Sequence, residues 1–263
     1  MSNSYPSTQS LSDPEFQPSQ PLPASPVSTS APDLSGKPIS DAVLASIKAQ
    51  RETDPLIGAR IGSKEICERM LHALQNERGV HIESMLCAAG ALAGYACQAA
   101  LRHEAAAQGL GDKDVFTIVE AGGATYYVSD HLNLPLADSA YSVWSLSAAA
   151  AKNIGCKTLP HLNALLAYVA ETVGTPQFGL LRVPEAHRPS RTPLAFVQLM
   201  WHHFDPVVQR LCPDPMEWPI LYSLVIQQVM EYAKTIIAPE LALQIVMESA
   251  VSMSKVDLAT ARA

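Results

Sequence analysis

Apolar residues recur at helical spacing along most of this chain. After Ser40, a fitting N-cap, DAVLASIKAQR sets Val43, Leu44 and Ile47 on one helical face. From Ser63, KEICERMLHALQNER puts Ile66, Met70, Leu71 and Leu74 at the same spacing. Gly58 and Gly62 interrupt the preceding stretch, and Gly79 is suited to end the helix. The next segment, about Ile82 to Gln108, carries small residues at Ala89, Gly90, Ala93, Gly94 and Ala96. Glycine inside a helix costs about 1 kcal/mol relative to alanine, so this pattern predicts close approach of a neighbouring backbone and a central position in a bundle.

The period changes beyond Gly111. VFTIVE (Val115 to Glu120) and ATYYV (Ala124 to Val128) are β-branched and aromatic runs joined across Ala121-Gly122-Gly123, the pattern of a β-hairpin. A lone hairpin is marginal in water, so it must pack on the helices or pair with another strand, including one from a second copy. Helical spacing then returns. Asp138 or Ser139 is positioned to cap a helix through Asn153, and Thr158 to cap one whose Leu162, Leu165, Leu166, Val169 and Val173 form a stripe ending at Gly174. Further helices are predicted over Leu194 to Phe204, from Asp205-Pro206 onward, over Tyr222 to Ile237 and over Glu240 to Met253.

One stretch cannot be helix. Between Thr175 and Pro193, TPQFGLLRVPEAHRPSRTP holds Pro176, Pro184, Pro189 and Pro193, each removing a backbone donor and biasing its predecessor towards extended geometry. Connections of this length are normally functional or disordered.

These elements predict a mainly α fold: a single-domain multi-helix bundle around an Ala/Gly-rich central helix, with one hairpin at about 115–128 and a long proline-rich loop. Residues 1–38 are Pro/Ser-rich with few large apolar groups and predict a disordered tail, residues 39–253 form the domain, and 254–263 form a C-terminal tail expected to fray.

Composition narrows the classes of function. The 263 residues carry 18 Lys and Arg against 25 Asp and Glu, a net charge of -7, without the basic stripe that displaces counterions from phosphates; nucleic acid is not an expected partner. Met85 to Leu101 is uncharged, but it falls short of the roughly 20 residues of a membrane span, is dominated by alanine and contains Gln98, so it is read as a buried helix and no membrane is implied. No signal-peptide pattern opens the chain. Five scattered cysteines without a CxxC pair fit core positions in a reducing, cytoplasmic setting, and Cys212 has no nucleophile signature around it.

The proline loop holds the strongest candidate chemistry. Glu185 and His187 supply the groups of an acid–base pair, while Arg182 and Arg188, with Arg191, match the geometry of a small anionic ligand. Pairing of Glu185 with Arg182 or Arg188, three residues away on either side, competes with that reading. A second cluster, Tyr127 and His131 beside Tyr126 and Asp130, stands at the hairpin exit, where Asp130 and Ser129 also serve as caps. His81 and Glu83 precede the Ala/Gly helix and are accounted for by the turn at Gly79. His202 and His203 with Asp205 do not make a convincing metal site, because adjacent helical side chains diverge by about 100°. No metal ligands are assigned, a metal-dependent enzyme would need three ligands converging from separate segments, and the sequence does not identify a cofactor.

No catalytic motif outweighs its structural explanation, so the sequence favours a non-catalytic interaction or assembly role, with homo-oligomerisation through the hairpin or the helices. The alternative is a hydrolase or lyase of a small anionic substrate, with His187 as acid–base group, Glu185 orienting it, and Arg182 or Arg188 holding the anion. Convergence of Glu185, His187, His131 and His81 in space separates the two readings.

Overall fold

Helix α3, Ile82–Ala107, runs through the centre of the protein, and the stretch from Ile82 to Gln98 is buried throughout. A computed structural model describes Leu34 and residues 38–77 and 79–262 of the chain. The tail expected over 1–38 lies outside these residues except for Leu34 and Pro38, and Leu34 is buried against the core. All described residues belong to one compact unit, and the fold is mainly α as the periodicity predicts.

The helices packed most extensively on α3 are α10, Pro239–Met253, α9, Glu217–Ala233, and α8, Pro193–Leu211. The small residues of α3 explain the closest of these contacts. A Cβ added at Gly90 would overlap the backbone of Val246, and one added at Gly94 the backbone of Ala250, both on α10. The two helices therefore meet backbone to backbone, at the expense of helix propensity. Although α3 has the length and hydropathy of a membrane span, 89% of its most apolar window is covered by protein.

Around this centre, α2, Ile57–Leu74, packs on α9 and α8, and α1, Asp41–Gln50, is capped by Ser40 as expected. Gly58 and Gly62 do not interrupt α2; they lie within it, where they admit the Leu211 carbonyl and the Leu221 side chain. The helix ends at Leu74, ahead of Gly79, because β1, Gln75–Asn76, pairs antiparallel with β2, Gly79–Val80. Pro206 does not restart a helix either: α8 continues through it to Leu211, held by the burial of Phe204 and Val208 on either side. Ser142, not Asp138 or Ser139, caps α6, Val143–Asn153, after a short helix α5, Asp130–Asn133, and a π-turn at Leu134–Asp138; α7, Leu162–Thr172, follows.

A short helix α4, Asp112–Val115, leads into the predicted hairpin, β3, Thr117–Ala121, paired with β4, Ala124–Val128. Positive φ at both Gly122 and Gly123 suits the two-residue turn whose twist matches its strands. The hairpin finds its further partner within its own chain. The Tyr127 N–H donates to the Lys255 carbonyl, the Asp257 N–H to the Thr125 carbonyl, and Tyr126 bridges Val256. The fraying expected from Ser254 onward is thus corrected: Ser254, Lys255 and Val256 are buried, because backbone pairing with β4 satisfies groups that a free end would leave to water.

After α7 the proline segment crosses the molecule as a strap. It contains one 3-10 turn, Glu185–His187, and ends at Thr192, which caps α8 through the Ala195 N–H.

Candidate functional site

The strap is clipped to the helical core at two places. At the first, Glu248 of α10, 2% exposed, accepts from the Arg182 N–H at 2.7 Å and from Arg182 Nε at 2.9 Å. Gln244 Nε2 donates to the Arg182 carbonyl at 2.7 Å, and the guanidinium lies 4.0 Å from the ring centre of Tyr168. Arg182 is therefore committed to a buried carboxylate and an aromatic face. Its partner is Glu248, remote in sequence, and not the nearby Glu185.

The second clip stands at the start of α3. Glu83 occupies the first turn of that helix, where backbone N–H groups and the helix dipole favour negative charge, and its side chain is only 8% exposed. One oxygen, Oε1, meets His187 Nδ1 at 2.8 Å; the other, Oε2, meets His81 Nε2 at 3.3 Å. The opposite nitrogen of His81, Nδ1, lies 2.8 Å from Ser84 Oγ. Ser84, buried at 2%, accepts from the Ser190 N–H at 2.8 Å, and the two serine hydroxyls are 2.9 Å apart. Two imidazoles, one carboxylate and two hydroxyls thus converge from the start of α3 and from the strap.

Of the expected residues, His187 and His81 are brought together, and Glu83 takes the position expected for Glu185. The Glu185 carboxylate is exposed and no described residue pairs with it, because the 3-10 turn faces its neighbour His187 towards α3. Arg188 lines a depression of about 380 Å³ together with Arg191, Ser190, Thr192, Leu180 and Leu181. One run of the lining, Arg188 to Pro193, begins at the residue after His187, so the imidazole and the depression are neighbours along the strap.

His131 and Tyr127 lie elsewhere. His131 is exposed beside Asp130 and donates its backbone N–H to Ser129 Oγ, the capping arrangement. The Tyr127 ring is buried edge-on against Phe116, with the Arg102 guanidinium 4.8 Å from its centre. The depression beside His131 shares no residue with the one beneath the strap. His202 and His203 stack on each other with ring centres 3.9 Å apart, and among the described residues no group of three His, Cys, Asp or Glu side chains is arranged for a metal ion.

The five cysteines are free and buried. Burial pushes the Cys67 thiol up to about 11 and the Cys87 thiol up to about 12, and raises Cys97 and Cys212 as well. None is poised as a thiolate nucleophile near neutral pH.

The serine and glutamate contributions escape a reading by local motif. One signal for Glu83 is present in the sequence: it is the only charged residue between Ile82 and Leu101. No protein-family model, curated protein or solved structure matches the chain.

Proposed function

We propose that this chain is a hydrolase or lyase acting on a small anionic substrate at the junction of the strap and the start of α3, with His187 as its acid–base group and Glu83 orienting it. The observation that carries the proposal is the bond from Glu83 Oε1 to His187 Nδ1, which fixes the ring and leaves Nε2 facing away from the carboxylate. A carboxylate on one imidazole nitrogen sets the tautomer and supports charge on the ring when the other nitrogen takes a proton. The His187 side chain is 34% exposed, whereas that of Glu83 is 8% exposed. Arg188 and Arg191, whose guanidinium groups are not committed to described carboxylates, supply positive charge in the adjoining depression. The free, buried thiols fit a cytoplasmic setting.

The test is turnover of a panel of small esters bearing carboxylate or phosphate groups. His187→Gln is expected to lower any such activity by about a hundredfold, the usual scale of general acid–base catalysis. Equal rates for wild type and His187→Gln across the panel count against the assignment.

A second reading, assembly with another copy, draws on β3. Among the described residues this strand is paired only with β4, leaving one edge available for strand addition. Light scattering on wild type and on a Glu120→Pro variant, which removes an N–H from the free edge of β3, tests it; a monomer at all concentrations removes this reading.

A further inference from the structure

We infer that Ser190 is a nucleophile, activated through a hydrogen-bonded chain that runs Ser190, Ser84, His81, Glu83, and that the substrate is an ester carrying a carboxylate or phosphate held by Arg188 and Arg191. The inference rests on the reading of this site as an acid–base centre and adds a covalent step to it.

The geometry restricts where the protons sit. With His81 neutral, a proton on Nε2 avoids setting a nitrogen lone pair against the Glu83 carboxylate 3.3 Å away, and this tautomer leaves Nδ1 as an acceptor. Ser84 is then the group that donates to Nδ1, at 2.8 Å. Having spent its one proton there, Ser84 Oγ has two lone pairs left. The Ser190 N–H takes one at 2.8 Å, and the Ser190 hydroxyl, 2.9 Å away, donates to the other. Every polar group of the chain is satisfied, and the Ser190 proton points inward, towards the base. The alternative, in which Ser84 donates to Ser190, has His81 Nδ1–H donating to Ser84 and, with Nε2–H kept towards Glu83, makes the ring an imidazolium.

Burial divides the labour between the two serines. Ser84 is 2% exposed and has no access to a substrate, whereas Ser190 is exposed and lines the depression with the two arginines. Ser190 is therefore the group that meets a substrate, and Ser84, His81 and Glu83 position and relay.

In the step this implies, Ser190 Oγ attacks the ester carbonyl carbon and forms a C–O bond. Its proton moves to Ser84 Oγ as the Ser84 proton moves to His81 Nδ1, producing an imidazolium opposite Glu83. The ester C–O bond breaks, the leaving alkoxide takes a proton from water, and the His81 imidazolium, whose side chain is 45% exposed, returns its proton to solvent. Water then attacks the acyl carbon and loses a proton to solvent, the bond from that carbon to Ser190 Oγ breaks, and the carboxylic acid leaves as Ser190 Oγ takes a proton from solvent. No oxidant, reductant or further reactant is needed.

The test uses a fluorophosphonate, which forms an Oγ–P bond with an activated serine as fluoride leaves, on the full chain. Wild-type protein is expected to gain one adduct, located on Ser190 by mass spectrometry of its peptides, and Ser84→Ala and His81→Asn are expected to slow labelling by about tenfold or more. An unlabelled Ser190 in wild type overturns the inference without any variant, so misfolding of a variant does not shelter it. Labelling at an undiminished rate in folded Ser84→Ala marks an ordinary exposed hydroxyl and also overturns it. Loss of turnover in His187→Gln with full turnover in Ser190→Ala leaves the acid–base reading in place and removes the nucleophile alone.

Discussion

Glu83 and His187, 104 residues apart in the chain, meet through a 2.8 Å hydrogen bond that ties the proline strap to the first turn of the central helix. The carboxylate is nearly buried and holds a second imidazole on its other oxygen. Removing it strands two rings and leaves the contact of Ser190 with Ser84 as the remaining tie at that end of the strap. Glu83→Ala is expected to cost about 2 kcal/mol, the scale of hydrogen bonds to a charged group. Glu185→Ala, at an exposed carboxylate with no described partner, is expected to stay within about 0.5 kcal/mol. Urea denaturation of the two variants checks the contrast, and similar losses from both reject it.

The same logic applies to the other clip. Arg182→Ala leaves Glu248 buried with only Gln244 and a backbone N–H to accept from, and is expected to destabilise by about 2 kcal/mol; the half-exposed guanidinium keeps this below the cost of breaking a fully buried pair. Adding Glu248→Gln is expected to recover part of the loss, since the stranded charge is then gone. A double-mutant cycle measures the coupling, and strictly additive losses contradict it.

Gly94→Ala reverses the usual sign of a glycine substitution in a helix. Propensity alone favours alanine by about 1 kcal/mol. The new methyl group meets the Ala250 backbone, which cannot rotate aside, so a net loss of about 2 kcal/mol is expected from overpacking. Gly111→Ala, whose added Cβ would meet only the end of Asp114, is the control, expected to be near neutral. Thermal unfolding of both gives the answer.

The hairpin and the central helix were legible because their signals are local. Gly122-Gly123 between β-branched runs specifies a turn, and small residues spaced along α3 specify a close neighbour. Element ends were less legible where tertiary contacts decide them: Pro206 is carried inside α8 by the burial of Phe204 and Val208. The site was only half legible. His187, His81 and Arg188 stood out by residue type, yet the partner of His187 is fixed by how the strap docks on α3, and no spacing along the chain encodes a contact across 104 residues. Pairing of residues 255–257 with β4 was hidden for the same reason, since it is made by backbone groups that every residue carries.

Lys255 sits in that segment, 9% exposed, and burial lowers its amine below the ordinary value of 10.5. Between the folded value and 10.5 the unfolded chain binds more protons than the folded one, so this residue makes stability rise with pH in that window; its penalty is complete below the folded value and fades towards 10.5. Lys255→Met is expected to exceed wild type by about 1 kcal/mol at low and neutral pH, with the gap closing in alkaline solution. A pH-independent gap in denaturation experiments speaks against a charge origin.

The union of α3 with α10 sets a timetable for folding during synthesis. Cys87 and Ser249, which touch across that contact, are separated by 162 residues. At ordinary rates of translation the apolar face of α3 waits on the order of ten seconds for its last cover. The segment that completes the sheet beside β4 arrives later still. A nascent chain therefore presents its central helix long before the native partner exists, and its yield should depend on whatever shields that surface in the interval.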